Sequence, residues 1–385
     1  MKIEPHHRST LLAAAVGAMA ISTIALWLYT TKIQEQVKSN ASMDSGDTLV
    51  TKESKEIFKD KHALFSYVKK FGPAATVQQL HALSAELGDC HQAAHEAGRA
   101  SYEIFGAAAF RECRAECHSG CYHGATEAFF HDKGTANLAG NLSTICSGDL
   151  NQFFNHQCIH GIGHGLMAWS DYDLPQALKD CDLLPKGQIS CYTGVFMENI
   201  VGGLAQSEAN EANKANDFVH FTEYLDNNPH FPCTVVDEQY KNACYFLQTS
   251  RMVQLFNSDF RQVANACAEA PEAHQISCFG SMGRDVGGIT RNDPVQAISK
   301  CSFAPKGTNR IACLDGAAQD SFWDPSGETN AITFCRLLND PDEKRSCYNT
   351  ISGRAPEVLG NKEAVLKFCD KLETQYRQDC VSRIE

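Results

Sequence analysis

One cysteine recurs along this chain at a nearly constant interval, and that interval limits the folds open to it. The cysteines that open segments resembling Cys-Tyr-x-Gly are Cys90, Cys121, Cys158, Cys191, Cys244, Cys278, Cys313, Cys347 and Cys380, separated by 31, 37, 33, 53, 34, 35, 34 and 33 residues. A unit of about 34 residues therefore repeats nine times, with roughly twenty extra residues after Cys191. Self-similarity at such a period marks stacked supersecondary units, each too small to bury its apolar face alone.

Seven of these cysteines have a partner ten to twelve positions upstream. The spacing predicts the pairs Cys146–Cys158, Cys181–Cys191, Cys233–Cys244, Cys267–Cys278, Cys301–Cys313, Cys335–Cys347 and Cys369–Cys380, with no bond between Cys146 and Cys181. Turn-like strings such as LLPKGQ and APKGTN lie between the partners, and the flanking segments carry apolar residues at helical spacing. Each unit then reads as helix, loop, helix, with a cysteine at the end of the first helix and another in the first turn of the second. The expected fold is all-α: an α-solenoid of about nine helical hairpins stapled by disulfides within each repeat, preceded by a single transmembrane helix. Small residues just after the second cysteine (Gly124, Gly161, Gly194, Gly280, Gly316) would let neighbouring helices approach closely. The period matches tetratricopeptide-type arrays without their tryptophan, glycine and tyrosine pattern. The plan of one disulfide per hairpin is similar to that of cysteine-rich Sel1-like bacterial proteins, with longer cysteine spacing here, which implies a shared plan and no membership.

Eighteen cysteines at regular spacing point to an oxidising compartment. Residues 11–30 (LLAAAVGAMAISTIALWLYT) are uncharged and mostly apolar, long enough as a helix to cross the ~30 Å of a hydrocarbon core. The reading is a signal anchor with residues 1–10 as a cytoplasmic tail, residues 31–56 as a flexible tether and an extracytoplasmic body, periplasmic or extracellular; a cleaved signal peptide is the alternative. Residues 57–203 form the N-terminal repeats, 204–232 an insertion that is either a lid, an extra helix or decoration, and 233–385 the C-terminal repeats. A net charge of −12 without a basic cluster in the body excludes a phosphate-tracking surface, so nucleic acid is not an expected partner. The membrane, through the first helix, and a protein on the concave face of the solenoid are.

Histidine is distributed unevenly over the repeats. Eight of the chain's fifteen histidines fall between Cys90 and His164, whereas from Cys233 onwards there is one, His274. The repeat does not need imidazole to fold, so the early histidines are additions with a function. Positions two and six after each cysteine hold Gln92 and Glu96, His123 and Glu127, His160 and His164, then Thr193 and Met197. Residues four apart share a helix face, and His91 and His95 form a further such pair one residue out of register. His131 and His156 extend the stripes by a turn. This pattern predicts a transition-metal site, iron, zinc or copper, with His95, His123, Glu127, His160 and His164 as ligands. His91, Glu96, His118 and Glu198 are second-rank ligands or groups that orient one.

Two apparent motifs fail on inspection or compete. His95-Glu96 begins like the H-E-x-x-H of zinc proteases, but Arg99 stands where the second histidine belongs. Cys113-Arg-Ala-Glu-Cys117-His118 is one residue longer than a haem c attachment site, so a haem c protein is a minor alternative. The leading reading is a membrane-anchored, extracytoplasmic metal-binding repeat protein. As an enzyme it would be a metal-dependent hydrolase or oxidoreductase with Glu96 or Glu127 as base. The rivals are a non-catalytic metal carrier or sensor and a disulfide-rich interaction scaffold.

Overall fold

A computed structural model describes residues 60–83, 90–114, 116–117, 119–134, 136–146, 152–212, 222–323 and 325–383. The anchor segment 11–30, the tether and His118 lie outside the described residues. Among the described residues there is no strand, and no helix is long and apolar enough to cross a membrane.

The hairpins form as the cysteine spacing requires. All seven expected disulfides are present, with Cα–Cα distances of 5.5 to 5.8 Å. In the fourth unit, for example, Cys181 lies near the end of α7 (Leu174–Asp182) and Cys191 in the first turn of α8 (Gln188–Ala212). The four cysteines that spacing left open pair as Cys113–Cys121 and Cys90–Cys117. The first is the staple of the second unit, shortened to a separation of 8 residues; the second ties the start of α2 (His91–Phe105) to the loop before α4 (Gly120–Lys133). No described cysteine is free, and the haem c alternative falls with that, since thioether attachment would need the thiols of Cys113 and Cys117.

Sequence chemistry sets the starts of the short outer helices. Asp173, Asp259 and Asp293 cap α7, α10 (Phe260–Glu269) and α12 (Pro294–Cys301), each carboxylate accepting from a backbone N–H of the first turn. Before each cap stand two residues in the left-handed region, Asp171-Tyr172, Asn257-Ser258 and Arg291-Asn292. A cap preceded by this two-residue reversal is the turn from one unit to the next, a repeat signal that the cysteines overshadow.

The second helices of successive units pack side by side in chain order: α2, α4, α6 (Gln152–Trp169), α8, α9 (Glu238–Leu255), α11 (Glu272–Ile289), α13 (Thr308–Ser321) and α15 (Pro341–Leu359). They form a continuous inner layer, and α15 returns to touch α6. Buried apolar side chains and the disulfides fill the space between inner and outer helices in one long core, with a smaller core around Leu64, Val68 and Leu80 of α1 (Lys61–Ala82). The insertion is no separate body where it is described. Helix α8 runs on to Ala212, and the segment from Thr222 is held to α8 and α9 by Asn199 donating to the Tyr224 carbonyl at 3.0 Å and Gln248 donating to the carbonyls of Pro229 and Phe231 at 3.0 and 2.7 Å.

Candidate metal centre

Three inner helices bring five imidazoles together. His91 and His95 come from α2, His123 from α4, and His160 and His164 from α6. The close approach depends on glycine: a Cβ on Gly124 would run into the carbonyl oxygen of His95, and one on Gly194 of α8 into that of His160. Histidines one repeat apart therefore meet at ring distance. His91 Nε2 lies 3.1 Å from His95 Nε2, His95 Nε2 lies 3.2 Å from His123 Nδ1, and His160 Nε2 lies 3.2 Å from His164 Nε2. The ring of His123 stacks on that of His164 with centroids 3.9 Å apart. Two groups result that can hold a metal ion, His91/His95/His123 and His123/His160/His164, each with its ligand atoms within 4.8 Å of one another. A third grouping, His81 with Cys90 and Cys117, offers no thiolate because those cysteines are bonded to each other.

The outer nitrogens explain which way the rings face. His91 Nδ1 is 2.9 Å from the Cys117 carbonyl oxygen, His95 Nδ1 is 2.9 Å from Glu127 Oε1, and His164 Nδ1 is 2.8 Å from Glu198 Oε2. A carbonyl or carboxylate oxygen only accepts, so each of these nitrogens carries the proton. His160 Nδ1 lies 3.0 Å from the Thr193 hydroxyl, which itself donates to the Ser190 carbonyl and so accepts from the ring. All four Nε2 atoms thereby present lone pairs. In each pair those lone pairs face one another across 3.1 to 3.2 Å. His123 differs: Nδ1 meets only His95, and the buried Nε2 has no hydrogen-bond partner.

Protonation does not relieve this arrangement at His123 or His160. Burial, reinforced by the neighbouring imidazoles, drives both far below the ordinary histidine value, with Arg284 adding to the effect on His160. Burial would push the Glu198 carboxyl up, yet the hydrogen bond from His164, helped by the Tyr172 hydroxyl 2.7 Å away, brings it below the ordinary carboxylate value.

The structure sorts the expected ligands. His95, His123, His160 and His164 converge as anticipated, and His91 joins them. Glu127, expected as a ligand, has one oxygen at His95 and the other bound by the Arg99 guanidinium. Glu96 faces away, paired with Arg99 at 2.9 Å and Lys61 at 3.3 Å. Both candidate bases are therefore tied to one arginine. Glu198 stands behind His164; His131 is exposed, and His156 turns its Nδ1 to Ser190 Oγ at 2.6 Å. Sequence reasoning missed the roles of Arg99, Tyr172 and Thr193; of these only Thr193, two residues after Cys191 as His160 is two after Cys158, stood in the ligand register. Compared with known protein families, curated proteins and solved structures, the chain finds no match.

Beside this cluster the inner layer leaves a cavity of about 440 Å³, with His160 at one end and residues of α8, α9, α11, α13 and α15 as walls.

Proposed function

We propose that the five histidines hold two transition-metal ions that share His123, and that the protein uses this centre as an enzyme. The observation that carries the reading is the set of four Nε2 lone pairs, each aimed by an acceptor behind its ring, meeting pairwise at 3.1 to 3.2 Å. Facing lone pairs in a buried site repel unless a cation lies between them. Nitrogens bound to one tetrahedral ion at about 2.0–2.1 Å stand roughly 3.3 Å apart, close to these separations. Carboxylates or hydroxyls behind ligating imidazoles are the usual outer partners of such a centre.

Two ions are proposed because the histidines fall into two triads joined by one ring, His91/His95/His123 and His123/His160/His164. His123 alone has neither nitrogen engaged by an oxygen acceptor, which suits a bridge. An all-imidazole donor set suits zinc, copper or iron. When bound, such an ion polarises a substrate or water, or exchanges electrons with it. This chain's residues aim the rings, keep the centre buried and set His160 in the wall of the cavity. That access to a cavity favours catalysis over carriage, for which saturated coordination suffices. Nine disulfides and the apolar stretch 11–30 support an extracytoplasmic body anchored in a membrane.

Metal analysis of the full chain, purified without chelators, tests the reading. About two ions per chain are expected in the wild type and about one in the double variant His160→Ala/His164→Ala. A wild-type protein that retains its fold, holds no stoichiometric metal and takes none up from zinc, copper or iron solutions would overturn it.

A further inference from the structure

The cavity beside His160 is built from the register that carries the histidines. Two residues after their repeat cysteines stand His160, Phe246, Gly280 and Asp315, and six after stand Met197, Arg284 and Gln319. What is a ligand stripe in the early units becomes a cavity wall in the later ones. At about 440 Å³ the space falls within the ~300–1,000 Å³ range of small-molecule sites.

One glycine shows that this space is not a packing accident. Gly316 and Gly283 are required by their neighbours, because a Cβ on either would collide with a backbone carbonyl of the adjacent helix. Gly280 is not: its Cβ would meet nothing closer than the Ala312 oxygen at 3.9 Å, and it has no positive φ. The missing side chain leaves room in the cavity instead of between helices.

The polar groups of the wall define what fits. Both guanidiniums are already engaged with protein groups. Arg284 donates to the Phe246 carbonyl at 2.9 Å, to Ser250 Oγ at 2.9 Å and to Asp285 Oδ1 at 2.9 Å. Arg354 donates to the Phe322 carbonyl at 2.7 Å and lies 3.7 Å from Glu357. Asp315 is different: Oδ2 accepts from Ser346 at 2.7 Å, while Oδ1 is buried without a hydrogen-bond partner. A buried acceptor left unmet costs about 1–3 kcal/mol, which a ligand donor would recover. Burial pushes Asp315 up to about 6 against the Ser346 and Thr350 hydroxyls, so at neutral pH it is mainly a carboxylate.

We propose that this cavity binds an organic molecule with a largely apolar body and an amine or hydroxyl head, the body lying against Met197, Phe246 and Trp323 and the head donating to Asp315. The inference rests on the metal-centre reading only in calling that molecule the substrate; binding itself does not require metal. An anionic head at that position would meet the like charge of the Asp315 carboxylate.

The test uses 4-phenylbutylamine, 4-phenylbutanol and 4-phenylbutyrate, one body with three heads, titrated calorimetrically into the full chain with metal loaded and after chelation. The amine or the alcohol should bind at least tenfold more tightly than the carboxylate in both forms. Asp315→Asn should weaken the preferred ligand about tenfold or more, and Gly280→Leu should abolish binding without lowering the melting temperature. Should Gly280→Leu fold poorly, Ala312→Leu on the facing wall reads the same occlusion. Equal or tighter binding of the carboxylate, or unchanged binding in the occluded variants, would overturn the proposal. If the metal reading alone fails, binding persists in a chain that holds no metal; if the cavity reading alone fails, the metal content stands and no probe binds.

Discussion

The most direct test of how the rings are aimed is Glu198→Gln. One carboxylate serves two partners here, Oε2 taking the His164 N–H at 2.8 Å and Oε1 the Tyr172 hydroxyl at 2.7 Å. Glutamine has nearly the same shape but one acceptor. The Tyr172 hydroxyl can rotate to accept from the new amide N–H, which leaves the glutamine oxygen for His164. Geometry is thus preserved while the charge behind the ring is lost. Charge-assisted hydrogen bonds are about twice as strong as neutral ones, and removing an outer partner of a ligating histidine weakens metal binding about 10–100-fold, or about 1.4–2.8 kcal/mol. Glu198→Gln should fall near the lower bound and Glu198→Ala near the upper. The loss should appear in one of two binding steps, that of the His123/His160/His164 triad, when the protein competes with a chromophoric chelator. Glu127→Gln should mainly affect the other step. Because the triads share His123, the double variant should depart from additivity by more than the ~0.3–0.5 kcal/mol seen for independent sites. Unchanged metal affinity in Glu198→Ala, with the fold intact, would refute the idea that His164 is a ligand aimed by this carboxylate.

Two further outcomes follow from the same geometry. Gly194→Ala should lower stability by about 1–3 kcal/mol and reduce metal content, because the new Cβ meets the His160 carbonyl and α6 and α8 must separate; Gly288→Ala, with nothing within 4 Å, should be neutral or stabilising in the same denaturant melts. Acidification should release metal as pH falls through about 6.5, followed with a metal-sensitive dye. The sign follows from His123 and His160, whose folded values lie below that of free imidazole: the stability they contribute is present above about pH 6.5 and lost as pH falls towards those values. Asp315 and Asp320 act oppositely. Burial raises them to about 6 and about 7, so their contribution is present below about pH 4 and lost as pH rises through those values. Melting temperature alone therefore mixes two trends, and metal release reports the histidines.

The architecture was legible because a disulfide constrains two positions to one distance, and seven repeats of that constraint leave little freedom. Cys90 and Cys113 were not assignable because their unit departs from the spacing: Cys113–Cys121 spans 8 residues, and Cys90 bonds across to Cys117 in the next unit. Helical spacing also picked out the histidines, since i and i+4 share a face whatever the surroundings. It could not separate a ligand from the group behind it. Glu127 and His164 both stand six residues after a repeat cysteine, yet one ring points its Nε2 inward and the carboxylate reaches sideways to His95 on the preceding helix. That difference comes from side-chain length and from Arg99, which occupies the other Glu127 oxygen. Close approach after the cysteine was expected of Gly280 as of Gly124. Only the packing shows that one is filled by a neighbour's backbone and the other by space.

The absence of histidine after Cys233 then takes on a second meaning. In sequence it served as a control, units that fold without imidazole and so mark the early histidines as additions. In space those later units are the other walls of one inner layer, since α15 returns to α6 and Arg354 lies near enough to His156 to act with burial in lowering its proton affinity. A repeat array gives every unit the same inward-facing positions, so substitution at those positions changes the lining without changing the scaffold. Imidazoles at three successive helices make two groups that could hold a metal; a glycine, a tied arginine and an aspartate with one unmet oxygen at later helices line a pocket that His160 also lines. The insertion joins α8 and α9, two helices that line the pocket, and its described part is bound to Asn199 and Gln248 on them.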